Sequence, residues 1–171
     1  MRSRNKRYVL LSLMIAFSLV LRVVEGFLPA TAFLAPGLKL GLANIITVVM
    51  LYRFKPSETF LVTIVRVILG SVLGGGLSSF LYSAAGALLS FFVMLLFRGL
   101  QRFPLSIVGV SVLGAVFFNV GQLSVASLII GSKGIFVYLP IMGLLSIVTG
   151  LFVGLVAKRI IENKVLWKNL V

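Results

Sequence analysis

Apolar residues run along the chain in six blocks, at roughly 8–28, 38–54, 58–75, 77–97, 105–130 and 135–158. A helix that crosses ~30 Å of hydrocarbon needs about 20 mostly apolar residues, so each block predicts one transmembrane helix. The breaks carry turn chemistry. Pro29 and Pro36 bound the first, and "RFKPSE" forms the second, with Ser57 as the expected N-cap of the third helix. "GGG" at 74–76, "RGLQRFP" at 98–104 and "GSKG" at 131–134 make the others. The pattern predicts an all-α integral membrane protein, a six-transmembrane-helix bundle in a single membrane domain over 1–171, without low-complexity segments.

Lys and Arg give the expected orientation. With a cytoplasmic N-terminus, the inner face collects Arg2, Arg4, Lys6, Arg7, Arg53, Lys55, Arg98, Arg102, Lys158, Arg159, Lys164 and Lys168, twelve cations against Lys39 and Lys133 outside. That asymmetry places both termini in the cytoplasm. The competing reading of the first block as a signal peptide, with "ATA" at 30–32 as its cleavage site, conflicts with Arg22 and Glu25, which interrupt the segment, and leaves an odd number of spans.

Composition narrows the chemistry. Hydrophobic residues make up 60% of the chain, charged residues 11%, and the mean hydropathy is +1.20. Soluble domains carry about 25% charge, so the bulk solvent is lipid. The net charge of +13 suggests nucleic acid at first sight, but the cations cluster at the ends of apolar blocks, as in membrane proteins. There is no Cys, His or Asp, and the only acids are Glu25, Glu58 and Glu162. Thiol chemistry and the usual metal clusters are excluded, general acid–base groups are scarce, and no phosphate-cradling GxxxxGK[ST] run exists. The expectation is a protein that is not an enzyme, holds no cofactor or metal and does not hydrolyse ATP itself.

Polar residues inside the blocks then stand out, because charge at membrane depth costs several kcal/mol per group. Arg22 and Glu25 fall in the outer half of the first span, Lys39 and Asn44 in that of the second, and Arg66 near the middle of the third. Tyr82 and Ser83 fall in the outer half of the fourth, and Asn119 and Gln122 in the middle to outer part of the fifth. Similar depth on five helices predicts one cavity open to the outside. Arg22 and Glu25 lie at i and i+3, share a face and can pair, and Asn119 and Gln122 share a face in the same way. Lys39 and Asn44, five apart, do not share one closely. The plainer readings are a neutralised ion pair for Arg22–Glu25, an interfacial anchor for Lys39, interhelical hydrogen bonds for Asn44, Asn119 and Gln122, and an interfacial aromatic for Tyr82. Arg66 has no acid in its own span close enough to pair. With all four charged groups facing inward, Arg22, Lys39 and Arg66 against Glu25 leave about two positive charges, which favours a small anionic or polar solute.

Small residues mark close helix contacts. Ser12 and Ala16 form a small-xxx-small pair on the first span, about a third of a turn from Arg22. Gly37/Gly41, Gly70/Gly74 and Gly150/Gly154 are others, and ordinary internal packing explains such pairs.

"APGLKLGLANIIT", "RVILGSVLGGGLSSFLYSAAGALLS" and "GVSVLGAVFFNVGQL" resemble, in order and across nearly the whole chain, the bacterial Gx transporter family, also labelled heptaprenyl diphosphate synthase component I. That family in turn resembles the S components of energy-coupling-factor (ECF) vitamin transporters. The resemblance implies a multi-pass protein of the bacterial plasma membrane with an outward pocket. It also implies a first helix whose small residues, here Ser12 and Ala16, dock a coupling subunit driven by two ATPases. It highlights Gly37, Lys39, Gly41 and Asn44, then Arg66, Gly70, Tyr82 and Ser83, then Asn119, Gly121 and Gln122. Phe118 departs from the pattern, in which a His often precedes the Asn. Prenyl-diphosphate elongation uses Asp-rich Mg²⁺ sites, so a chain without Asp is at most an accessory subunit of such an enzyme. The leading expectation is therefore a solute-binding transport subunit with an ECF-type ATPase module. The alternatives are a non-catalytic membrane subunit of an isoprenoid- or quinone-linked complex, and a membrane scaffold with purely structural polar residues.

Overall fold

The computed structural model describes residues 2–27, 39–73, 76–100 and 105–170, and among them every regular element is helical. The elements are α1 (Arg2–Gly26), α2 (Asn44–Arg53), α3 (Pro56–Val72), α4 (Gly76–Gly99), α5 (Ile107–Ile130), a 3₁₀ segment (Lys133–Tyr138), α6 (Leu139–Glu162) and α7 (Lys164–Leu170). Local chemistry sets their ends. Ser106 caps α5, its Oγ accepting from the Gly109 amide at 3.1 Å, and Gly131 closes that helix in the left-handed region at φ +68°. At α3 the expected cap, Ser57, lies inside the helix. Pro56 opens the first turn, as its fixed φ favours, and the Glu58 carboxylate reaches back to the Lys55 amide at 3.0 Å.

Four stretches are long and apolar enough to cross a membrane: Asn5–Gly26, Gly76–Gly99, Ile107–Ile130 and Lys133–Glu162, the last including the 3₁₀ turn. The second and third expected spans differ. Instead of a helix over 38–54, α2 has 10 residues, about 15 Å of helix, and residues 39–43 precede it as irregular backbone. Instead of 58–75, α3 covers 17 residues. The reason for the first difference is tertiary: side chains of other helices take the backbone groups of Lys39 and Gly41 that a helix would use.

The α5 helix packs between α4 and α6, α3 packs on α4 and α1, and α2 touches every one of α1, α3, α4, α5 and α6. Every residue of α2 from Asn44 to Leu51 is buried. A helix apolar on nearly all sides belongs in the interior, and here Val48, Val49 and Leu51 meet α4, α5 and α6 in the core with Met94 and Val110, while Met50 packs with Leu11 and Met14 of α1 and Val62 of α3. The long helices turn apolar faces outward, with Val9, Phe17 and Val20 on α1, Phe92 and Leu96 on α4, and Leu144, Val148 and Leu155 on α6 all exposed. Such faces suit lipid.

Glycines set the spacing of the central layer. A Cβ on Gly121 of α5 would lie 2.7 Å from the Ala85 carbonyl oxygen of α4, and one on Gly86 would lie 2.8 Å from the Phe118 carbonyl oxygen. Across α5 and α6, a Cβ on Gly150 would come within 2.7 Å of Val112 Cα, and one on Gly154 within 2.8 Å of Val108 Cα. The Gly150/Gly154 pair thus serves internal packing, with backbones touching directly. Gly70 receives the Arg22 side chain, and Gly37 and Gly74 lie outside the described residues.

One end of the bundle gathers cations. Arg7 of α1 makes a bidentate pair with Glu58 of α3 at 2.5 and 2.8 Å. Arg53 donates to the Ile161 carbonyl of α6 and stands 5.0 Å from the Trp167 ring of α7, while Arg98 stands 5.3 Å from the Tyr52 ring. Lys158, Arg159, Lys164 and Lys168 follow on the same end of α6 and on α7.

Replacing Gly121 by Ala forces α4 and α5 apart against backbone atoms. The expected loss is about 1–3 kcal/mol, read as a lower melting temperature in detergent. Gly143→Ala, where a Cβ meets nothing within 4 Å, is expected to leave it unchanged or slightly higher.

Candidate functional site

Away from the cationic end, α1, α3, α4, α5 and the segment before α2 bring their polar side chains to one centre. Arg7 and Arg22 both lie on α1, about 22 Å apart along its axis. A small cavity of about 30 Å³ is lined by Arg22, Glu25, Lys39, Asn44 and Arg66, with Ser18, Ser83, Val67, Ala87 and Phe118 completing the wall. That free volume holds about one or two waters. The side chains expected around one cavity do converge, with little free space between them.

The segment 39–43 builds one wall. Gly41 has φ +88°, a conformation that glycine adopts freely, and its amide donates to Glu25 Oε1 at 2.6 Å. At Lys39, the Gln122 side chain takes both backbone groups: Oε1 accepts from the amide and Nε2 donates to the carbonyl, each at 2.9 Å. The Lys39 ammonium donates to Ser79 Oγ at 2.9 Å and Ser83 Oγ at 2.7 Å, one turn apart on α4. Lys39 and Asn44 thus reach the same cavity although five residues apart, because Lys39 precedes the helix rather than riding on it.

Arg66 is buried on α3 with 6% of its surface exposed. Its Nη2 donates to Asn44 Oδ1 at 2.9 Å, while its Nε has no acceptor among the described residues. A buried unsatisfied N–H on a charged group is costly. The Arg22–Glu25 ion pair that their spacing allows is not formed. Glu25 turns to the Gly41 amide, and the Arg22 guanidinium lies against α3, where a Cβ on Gly70 would meet its Nη1 at 2.6 Å. Glycine at 70 is what leaves room for it. Three cations and one carboxylate leave the cavity with a formal charge of +2.

Of the nine expected binding residues, Arg22, Glu25, Lys39, Asn44, Arg66 and Ser83 line the cavity, and the other three stand behind it. Gln122 holds Lys39, and its Nε2 also donates to Asn119 Oδ1 at 2.9 Å. Asn119 in turn donates to Ser146 Oγ of α6 at 2.5 Å. Tyr82 packs in an apolar cluster with Leu40, Leu123 and Met142. Ser12 and Ala16 are exposed on α1, away from the cavity. Residues missed in the sequence are Ser18, Ser79 and Ser146, and Gly41 entered only through the resemblance, without the role of its amide. Ser79 had a legible signal, its i, i+4 spacing to Ser83. Ser146 had none, since a lone Ser in an apolar span gives no direction. Phe118, at the position of the expected His, is part of the cavity wall and brings an apolar ring.

The fold and the site together define an all-helical protein with membrane-spanning character and a buried polar centre. The chain belongs to the heptaprenyl diphosphate synthase component I family, whose model matches residues 14–160. No curated protein and no solved structure matches it, and none of these comparisons supports the expected likeness to ECF S components.

Gln122→Leu removes both partners of the Lys39 backbone and leaves a half-buried N–H and C=O unpaired. About 1–3 kcal/mol per group is expected to be lost, with faster hydrogen exchange at residues 39–41 than in the wild type. Unchanged exchange there would show that Gln122 does not hold the segment.

Proposed function

We propose that this chain is a non-enzymatic membrane subunit that binds a small anionic or polar solute at the polar centre and takes part in its uptake across the plasma membrane. The observation that carries this reading is the buried excess of positive charge: Arg22, Lys39 and Arg66 converge with only Glu25 to offset them, and the Arg66 Nε has no acceptor among the described residues. Uncompensated buried charge is unstable without a partner, and an anion supplies it. The small free volume corresponds to a closed state, from which entry requires side chains to withdraw. Lys39 is placed for that, since its ammonium is tied to two neutral hydroxyls rather than to a carboxylate. The chain carries no nucleotide-binding motif, so uptake would be energised by separate subunits. A coupling subunit with two ATPases of ECF type fits that need, and the exposed Ser12/Ala16 face of α1 is the proposed docking surface for it.

The family name favours a second reading. A "component I" is one part of a larger assembly, and a chain without Asp would serve a prenyl-diphosphate synthase as its non-catalytic membrane part. The cation-rich end formed by Arg7, Arg53, Arg98, Lys158 and Arg159 offers a face for a soluble partner in that case. A shared requirement of both readings is that the cationic end faces the cytoplasm.

Native mass spectrometry of the purified protein is expected to reveal a bound small anion in the wild type and its loss in Arg66→Ala, with the variant still folded in detergent. Asn119→Ala is expected to bind more weakly, because it releases Gln122 from α6. Equal occupancy in wild type and Arg66→Ala would end the solute-binding reading. Co-purification with a prenyl synthase and no coupling subunit would favour the second.

A further inference from the structure

Glu25 does something unexpected for a carboxylate placed beside cations. Arg22 lies one turn away on the same helix, and Lys39 and Arg66 line the same cavity, yet no ion pair joins Glu25 to any of them among the described residues. Its carboxylate is instead given to the backbone. The Gly41 amide donates to it at 2.6 Å, with the backbone of Leu40 and Leu42 on either side of that amide. Consecutive N–H groups that converge where a glycine has positive φ form a concave anion seat, a backbone nest. The φ of +88° at Gly41 supplies that curvature. The start of α2 follows directly, with no side-chain cap, and its dipole adds positive potential on the same side. The cavity thus holds a backbone seat for an anion's oxygen, and the protein's own carboxylate occupies it.

We infer that Glu25 is an internal competitor for this seat, displaced when an oxyanion group, a carboxylate or phosphate, enters the cavity. The inference rests on the proposal that the cavity binds an anion, and it specifies where the anion's oxygens go. An incoming oxyanion takes the Gly41 amide and reaches the cations that Glu25 leaves unpaired among the described residues, including the Arg66 Nε. Guanidinium groups and a nest both favour groups that present two or more oxygens over a spherical halide. Glu25 sits one residue from the end of α1, so its release needs only the last turn of that helix to rearrange.

The sign of one substitution tests this. Glu25→Gln keeps the shape of the side chain and removes the competing charge. Binding of inorganic phosphate and of acetate is measured by titration calorimetry on the purified full chain in detergent, with chloride as the spherical control. If the seat is contested, Glu25→Gln binds phosphate or acetate more tightly than the wild type, by roughly tenfold or more given one unit charge removed at close range. Chloride stays weaker than either. Which of phosphate and acetate gains more identifies the source of the oxyanion. Weaker or equal oxyanion binding by Glu25→Gln, with binding by the wild type intact, overturns the displacement and leaves the anion site standing. No oxyanion binding by either protein overturns both. If Glu25→Gln fails to fold, the wild type still decides. With three Glu and no Asp in the chain, an infrared difference spectrum on adding phosphate is expected to show one carboxylate stretch shifting. A flat carboxylate region under saturating phosphate would sink the inference.

Discussion

Everything in this structure depends on how the backbone at Lys39–Gly41 is satisfied. The segment lies among helices of membrane-spanning character, tied to the start of α2 by the Asn44 amide, which donates to the Gly41 carbonyl at 2.9 Å. In hydrocarbon each unpaired backbone group costs several kcal/mol, so irregular backbone survives only where protein buries it. Here Gln122 takes both groups of Lys39, and Glu25 takes the Gly41 amide. Those side chains come from α5 and α1. The segment therefore ties three parts of the chain together, and in doing so it stops a spanning helix from forming there.

The consequence is a short α2 wrapped by the other helices instead of a span facing lipid. Placing its start at Asn44 sets that side chain opposite Arg66. Releasing residues 39–43 from the helix lets the Lys39 ammonium extend to Ser79 and Ser83 on α4. The same irregularity curves the backbone amides toward Glu25. A regular second span would have turned Lys39 and Asn44 to different faces, and no cavity would join them.

Behind this centre, glycines keep the supporting helices at backbone contact. Gly86 and Gly121 draw α4 and α5 together, and Gly150 and Gly154 draw α6 onto α5. Membrane helices gain little from hydrophobic exclusion of one another and depend on such close packing and on interhelical hydrogen bonds. The Gln122–Asn119–Ser146 chain of hydrogen bonds runs through the same layer. The rigid layer and the polar network are one construction, which positions the clamp on Lys39. The cationic rim lies far from it, at the other end of α1.

The sequence by itself determined the all-helical class, the four long apolar helices, the end that collects cations, and the polar residues that had to be buried. These follow from composition and spacing, which act locally or through solvent preference. Arg66 and Asn119/Gln122 were legible because polarity inside an apolar run has a cost wherever the fold puts it. Only the tertiary structure decided which polar group meets which. Spacing of i and i+3 suggested that Glu25 would pair with Arg22, yet the Gly41 amide, sixteen residues on, wins the carboxylate, and Gly70 on α3 gives Arg22 a berth elsewhere. The length of α2 was hidden for the same reason: whether a helix continues depends on who else offers its backbone a hydrogen bond, and those offers come from distant residues that only folding brings near.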